Sequence, residues 1–381
     1  MPQNAFLTTQ ILTYLGNKRS LLPFIGGGVE RVKRELGRSK ITFFDAFSGS
    51  GIVSRFMKRH ASLIVANDLE PYSEVVNKCY LTNRSTIDFG EFEGVFRDWV
   101  AYAASHLVEG VITRNYAPAD DGNIREGERA FYTRRNAVLL DSARAALDAT
   151  VPDKYFNLLL APLLAEASIH ANTSGVFKGF YKNRRGVGEF GGEGKNAVSR
   201  ICGEIRLQKP VLSEFDCDSI VTRGDANKVA ETIPAVDLAY FDPPYNQHPY
   251  GSNYFMLNLL VANKPPAGAS AVSGIPKDWN RSQYNRRREA EDALFSLLRK
   301  TPAKYLLVSY NSEGFIAKER FLAFLNSLGE TTPLEIEYNT FRGSRNLRNR
   351  PIKVTEYLFL VKRALLPAAT PPSNKVDGIL L

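Results

Sequence analysis

Asp242-Pro243-Pro244-Tyr245 places an acid, two rigid residues and an aromatic ring in immediate succession. An amine conjugated to an aromatic ring is a poor nucleophile, because its lone pair is delocalised. Acceptors that hold both of its N–H groups favour a tetrahedral nitrogen and restore reactivity. The Asp242 carboxylate can serve as one acceptor and the Pro243 carbonyl as the other. Each proline fixes its own φ and removes a competing N–H. Each also holds the preceding residue toward extended geometry. Tyr245 can stack on the face of a planar base. Such preorganised acceptors act through orientation and electrostatics. The plainer alternative is an Asp-Pro-Pro turn closing a strand. The strand before it, "VDLAYF", and the other acids of the chain weigh against that reading.

Asp45, Asp68 and Asp225 each follow a strand-like apolar run, as Asp242 does. In an open parallel sheet, ligands bind beyond the carboxyl ends of the strands. One acid there is uninformative, and each alone could be a helix N-cap. Together they suggest a ligand with several donors lying across the strand tips. In "DAFSGSG", from Asp45 through Phe47, Ser48, Gly49 and Ser50 to Gly51, the glycines permit a tight turn and close backbone approach. The full GxGxxG spacing is absent, and no GxxxxGK[ST] occurs, which disfavours a P-loop ATPase. Asp68 lies 23 residues after Asp45, the usual place for a carboxylate that accepts from ribose hydroxyls.

The elements that must position these groups are legible. "KITFFDAFSGSGIVSRFMKR" reads strand, turn, helix, and "ASLIVANDLEPYSEVVNKCY" repeats the plan, which argues for a parallel α/β sheet. From about 85 to 218 the pattern is irregular, with helical stretches near 91–108 and 151–170. Strands resume at "SIVTRGDA", "VDLAYFDPPY" and "AKYLLVSYNSEG". "PLEIEYNTF" and "TEYLFLVKR" read as an antiparallel pair at a sheet edge. The expected division is a catalytic domain of residues 1–84 and 219–365, an insert of 85–218, and a loose tail of 366–381.

The net charge of +9 and pI near 9.3 favour a polyanionic partner. Lys178, Lys182, Arg184 and Arg185 cluster with Phe177, Phe180 and Tyr181. Arg281 and Arg286 to Arg288 surround Tyr284. Arg342, Arg345, Arg348, Arg350 and Lys353 fill the connection between the two late strands. Such patches suit phosphate contact, and Asn172, Thr173, Lys178 and Arg184 could read base edges. The four histidines and three cysteines show no metal-ligand spacing, so no metal is expected. The N-terminus carries no signal pattern and no apolar run spans a membrane, so a reducing cytoplasm is the expected location.

These motifs, in this order, resemble the Dam-like (alpha) group of DNA adenine methyltransferases, including FokI-type modification enzymes, within the S-adenosylmethionine-dependent class I. "YLGNKRSLL" from Tyr14 is similar to that group's N-terminal motif. "DAFSGSG" matches its glycine motif, Asp68 its ribose acid, "GDA" at Gly224–Ala226 its adenine-contacting segment, and "DPPY" its catalytic motif. "GVFKGFYKNRRGVGEFGG" resembles its DNA loop. The resemblance implies a Rossmann-like, mostly parallel seven-stranded mixed sheet with helices on both faces, plus a mostly helical target-recognition insert. It implies S-adenosylmethionine bound by Tyr14, Gly16, Lys18, Asp45, the Phe47–Gly51 turn, Asp68, Asp225 and Ala226. It implies catalysis by Asp242, Pro243, Pro244 and Tyr245 on a flipped-out adenine. Double-stranded DNA would meet Lys178, Tyr181, Lys182, Arg184, Arg185, Arg281, Tyr284, Arg342 and Arg345. A separately encoded restriction endonuclease is a possible partner, and an orphan enzyme the alternative. Cytosine N4 enzymes more often carry Ser at the position of Asp242. A C5 mechanism would need a Pro-Cys pair that is absent. An RNA adenine methyltransferase, a nuclease and a silent DNA-binding module are the remaining rivals.

Overall fold

The computed structural model describes residues 6–7, 11–339 and 353–364. Helix α1 (Leu22–Leu36) precedes β1 (Ile41–Asp45), α2 (Ile52–Met57), β2 (Ala61–Asp68) and α3 (Pro71–Leu81). Helices α4 (Phe89–Ser105), α5 (Val111–Tyr116), α6 (Arg134–Thr150) and α7 (Asp153–Ile169) follow. The sheet resumes with β3 (Asp218–Arg223) and β4 (Val236–Phe241). Next come α8 (Phe255–Ala262), α9 (Ala290–Lys300), β5 (Ala303–Asn311), α10 (Lys318–Leu328), β6 (Gly329–Asn339) and β7 (Lys353–Arg363).

The strands form one seven-stranded sheet in the order β3-β2-β1-β4-β5-β7-β6. The first five are parallel, and β7 runs antiparallel to both β5 and β6. The sheet is therefore mixed and mostly parallel, with the late pair at one edge as expected. Every residue of β4 is buried, which explains its mainly apolar make-up, because a parallel strand is covered on both faces, and its one acid, Asp237, is paired with Arg38 and Lys304. Neighbouring side chains on β1 point to opposite faces. Phe43 packs with Ile25, Val29 and Met57 of α1 and α2. Phe44 packs with Leu294, Leu297 and Phe321 of α9 and α10. Helices thus cover both faces.

A third core joins α4, α6 and α7 to α3 and α8. Trp99 Nε1 donates to the Ala143 carbonyl at 2.9 Å, and Arg144 Nε to the Leu260 carbonyl at 2.8 Å. The insert helices therefore share hydrophobic packing with α8, the helix that follows DPPY. Helix α6 is absent from the sequence-based expectation. Its buried residues include Asp141 and Arg144, and these charges on the inner face hide the helical period. Asp141 accepts from the backbone of Gly110, Ile112 and Thr113 and from the Thr113 hydroxyl. One buried acid on α6 thus holds the first turn of α5.

The chain passes outward from β1 to β2 and β3, then returns to β4 on the other side of β1. Asp45 of β1 lies opposite Tyr240 of β4. This reversal leaves a crevice at the strand tips, the expected place for a ligand in an open α/β sheet. Among the described residues, no helix is long and apolar enough to cross a membrane.

Candidate active site

The strand tips open into a cleft with about 890 Å³ of space continuous with solvent. Its wall includes Tyr14, Gly16, Lys18, Asp45, Phe47, Ser48, Gly49, Ser50, Asp68, Asp225, Ala226, Asp242 and Pro244. Residues far apart in sequence, from 14 to 244, thus converge on one cavity.

The turn after β1 is shaped by two glycines and one acid. Gly49 and Gly51 have φ of 52° and 73°, a region that L side chains rarely adopt. A Cβ on Gly51 would lie 2.9 Å from Asn77 Oδ1, and one on Gly49 would lie 3.0 Å from the Tyr14 ring. Asp68 clamps this turn. Its Oδ2 accepts from the Gly49 N–H at 2.8 Å and its Oδ1 from the Glu70 N–H at 2.9 Å. Asn67 stitches the neighbouring tips by donating to the Ala46 and Gly224 carbonyls. Ser48 accepts from Asn77 Nδ2 at 2.9 Å.

Asp45 is buried, and its Oδ2 accepts from Ser54 Oγ at 2.6 Å. Among the described residues its Oδ1 takes no hydrogen bond of good geometry, although the Phe47 backbone N–H lies close enough to pull its pKa down. Burial, with Asp242 and Asp68 nearby, pushes this carboxyl up to about 7 despite the Ser54 bond. Asp225 caps the one-turn helix Ala226–Val229 through the Asn227 N–H and also borders the cleft. Phe47 lies edge-on to Tyr284, with centroids 4.9 Å apart.

The segment around Tyr14 is held over the cleft by aromatic packing. Tyr14 stacks on Tyr250 and Tyr254 at 5.1 and 4.8 Å, and its hydroxyl meets that of Tyr72 at 3.1 Å. The Leu15 N–H donates to the Tyr254 hydroxyl, and the Tyr250 hydroxyl donates to the Leu15 carbonyl. Gly16, at φ 71°, turns the chain beneath Tyr250. Lys18 follows and is only 3% exposed. Its Nζ lies 3.1 Å from Asp242 Oδ1 and 2.6 Å from Glu356 Oε1. Burial opposes its charge, but these two carboxylates outweigh that and raise its pKa well above the usual lysine range.

Asp242 directly follows β4. Burial lifts its carboxyl to about 6, against the downward pull of Lys18 and with Glu356 adding to the rise. Pro243 is buried, whereas Pro244 and Tyr245 are half-buried. The Tyr245 ring stands edge-on to Tyr310 at 6.2 Å. An ionisable acceptor, a rigid dipeptide and a braced ring therefore sit beside a cavity that also contains a buried carboxylate oxygen with no well-formed hydrogen bond among the described residues.

The profile of the D12 class N6 adenine-specific DNA methyltransferases matches residues 14–319. The protein belongs to that family. It is an adenine-specific DNA methyltransferase. Type II methyltransferase M.NlaIII of Neisseria lactamica is 27% identical to it over 363 residues, covering 92% of this chain and 99% of that protein. M.CviAII of Paramecium bursaria Chlorella virus 1 is 26% identical, covering 91% and 97%. M.FokI of Planomicrobium okeanokoites is 25% identical, and the match covers 96% of this chain but 54% of that longer protein.

Several residues expected to contact DNA lie on the surface of the methyltransferase. Lys178, Lys182, Arg184 and Arg185 are exposed, and Tyr181 is half-buried. Lys182 lies over the Phe180 ring at 5.1 Å, while Arg184 pairs with Glu193. This loop is tied to the cleft, because the Phe177 N–H donates to the Asn253 carbonyl two residues after the cleft residue Gly251. Arg281 is exposed, stacks on Trp279 at 4.8 Å, and sits between the cleft residues Asn280 and Ser282.

Other expectations need correction. Tyr284 is 3% exposed, lines the cleft, and donates its hydroxyl to Asn227 Oδ1 at 2.5 Å. Its ring braces Phe47, so it is a cleft wall and not a DNA-facing ring. Asn172 is fully buried and spends its amide on the Ala130 and Glu189 carbonyls and the Gly191 N–H. Thr173 is also buried. Neither is free to read a base edge. Arg342, Arg345, Arg348 and Arg350 lie outside the described residues.

Sequence reasoning missed Tyr72, Tyr250 and Tyr254, Glu70, Ser309 and Glu356. Glu356 had a readable signal. It falls on the same face of β7 as Leu358 and Leu360, both buried against α1 and α2. A charge in register with a buried apolar row calls for a partner, and Lys18 is that partner.

Proposed function

We propose that the cleft binds S-adenosylmethionine and that Asp242 and the Pro243 carbonyl hold the target adenine amine. The observation that supports this reading is the placing of Asp45 Oδ1, a buried acceptor with no well-formed hydrogen bond among the described residues, beside the acid of DPPY on the adjacent strand tip. An acceptor of that kind suits a cationic donor such as the cofactor's amino group. Asp68 retains lone pairs for ribose hydroxyls beyond its two backbone bonds. Phe47, Asp225 and Ala226 can flank the adenine ring, while Tyr14, Gly16 and Lys18 border the opposite end. When bound, S-adenosylmethionine supplies an electrophilic methyl group on a sulfonium.

The residues of the chain do the rest. Asp242, when ionised, accepts one N–H of the amine, and the Pro243 carbonyl accepts the other. Tyr245, braced by Tyr310, stacks on the base. An adenine within the duplex is out of reach of this site, so the substrate base must leave the stack. Lys178, Tyr181, Lys182, Arg184, Arg185 and Arg281 contact the DNA around it. Residues 1–84 and 219–365 form the catalytic unit, and 85–218 carry most of the sequence readout. The printed names of the similar proteins support a role as a modification enzyme, with any cognate endonuclease a separate partner.

Calorimetric titration with S-adenosylmethionine tests the cleft. Saturable binding that weakens in the Asp45→Ala protein is expected. Equal affinity in both proteins would remove Asp45 from the binding site.

A further inference from the structure

Glu356 is 1% exposed, and its Oε1 takes two donors, Lys18 Nζ at 2.6 Å and Ser309 Oγ. Its Oε2 has no hydrogen-bond partner among the described residues. Asn311 lies directly opposite it across the β5–β7 pair. The cation beyond it, Lys18, is shared unequally, with the shorter contact to Glu356 and the longer one, 3.1 Å, to Asp242. Two carboxylates and one ammonium leave the trio with one net negative charge.

A lysine–aspartate pair alone would already be neutral. A second buried carboxylate with an orphan oxygen adds desolvation cost, so stability does not explain its presence. Its effect on Asp242 does. Lys18 bound wholly to Asp242 would occupy an acceptor oxygen and weaken the carboxylate as a hydrogen-bond acceptor. With no Lys18, the half-buried Asp242 would be protonated more readily and become a weaker acceptor. We propose that Glu356 is a positioning residue for the methyl-transfer site: it draws Lys18 toward itself and so leaves the Asp242 carboxylate strongly accepting. This rests on the reading of Asp242 as the amine acceptor.

The groups facing Asp242 are Lys18 from the N-terminal segment, Asp45 at the tip of β1, Tyr240 from β4, Tyr245 and Tyr250 from the segment after β4, and Glu356 from β7. Of these, Lys18 is held charged by its two carboxylate neighbours, Asp45 is itself lifted to about 7, and the tyrosine hydroxyls are held neutral by burial. The negative charge of Glu356 makes Asp242 harder to ionise. Removing that charge must therefore lower the pH at which Asp242 loses its proton.

The test is the pH dependence of kcat/KM for duplex DNA at saturating S-adenosylmethionine, in the full chain. This profile reports the groups of the enzyme before DNA binds. Glu356→Gln is expected to move the acid limb to lower pH by about one unit, with kcat reduced and KM for DNA unchanged. Ser309→Ala leaves Glu356 with one donor fewer, strengthens its hold on Lys18, and is expected to move the limb to higher pH. A purely structural Glu356 would lower activity with the limb unmoved, and that result would overturn the proposal. If Glu356→Gln loses its circular dichroism spectrum, Ser309→Ala alone decides, and an unmoved limb there overturns the proposal. Asp242→Ala is assayed in parallel. Near-normal turnover in that protein would defeat the acceptor reading itself, whereas its loss beside unmoved limbs would defeat only the role of Glu356.

Discussion

Burial lifts the Asp242 carboxyl to about 6, while Lys18 pulls it downward. A carboxylate accepts an amine N–H more strongly than the protonated acid does, so on the proposed role of Asp242 activity should fall as pH falls through that region. Lys18→Met removes the downward pull. Its pH–rate profile should therefore lose activity at a higher pH than the wild type, and an acid limb that stays in place would dissociate Lys18 from Asp242. At this scale the sequence was most readable where chemistry and backbone rigidity coincide, as in DPPY. It was least readable where a side chain's role depends on burial. Tyr284 stands among arginines in the sequence, yet its ring is packed against Phe47. Asn172 has the right chemistry to read a base, yet the chain folds around it.

At the scale of elements, the turn after β1 is a joint held by conformation and by one acid. Gly51→Ala would place a side chain at φ 73°, 2.9 Å from Asn77 Oδ1. The left-handed backbone alone costs about 1–2 kcal/mol, so the midpoint of urea unfolding should fall. An unchanged midpoint would show that the turn relaxes freely. Asp68→Ala strips the acceptor from two backbone N–H groups. Bonds to a charged acceptor contribute about 1.5–3 kcal/mol, so cofactor affinity should drop at least ten-fold in a calorimetric titration. Asp141→Ala would leave the first turn of α5 without its buried acceptor and should destabilise the protein by about 3 kcal/mol. Full stability in denaturant would contradict that role. The β-turn-α units were legible because their apolar runs keep a regular period. Helix α6 was not, because Asp141 and Arg144 interrupt its buried face to serve other elements.

At the scale of the whole molecule, the surplus of +9 charges matters through its placement. The 178–185 loop and Arg281 adjoin residues of the cleft, so DNA held there would lie beside Asp242. Each DNA phosphate that a basic side chain neutralises adds about 0.9 to the salt slope of binding. Arg185→Ala should lower the slope by that full amount. Arg184→Ala should lower it by less, because Glu193 already neutralises Arg184 in the free protein. Equal slopes in wild type and both variants would make the loop an ordinary solvated surface. The order of motifs along the chain made the architecture legible before any contact was visible. The packing of the insert against α8 was not legible, since it joins residues more than a hundred positions apart, such as Arg144 and Leu260.

The most direct measurement is transfer of labelled methyl from S-adenosylmethionine to mixed-sequence duplex DNA, followed by digestion and identification of the labelled nucleoside. It is run with the wild type and with Asp242→Ala. The expected result is N6-methyladenine from the wild type and at least a thousand-fold less product from the variant, about 4 kcal/mol in the barrier, with cofactor binding retained. Label on cytosine, or near-normal turnover in Asp242→Ala, would contradict the account.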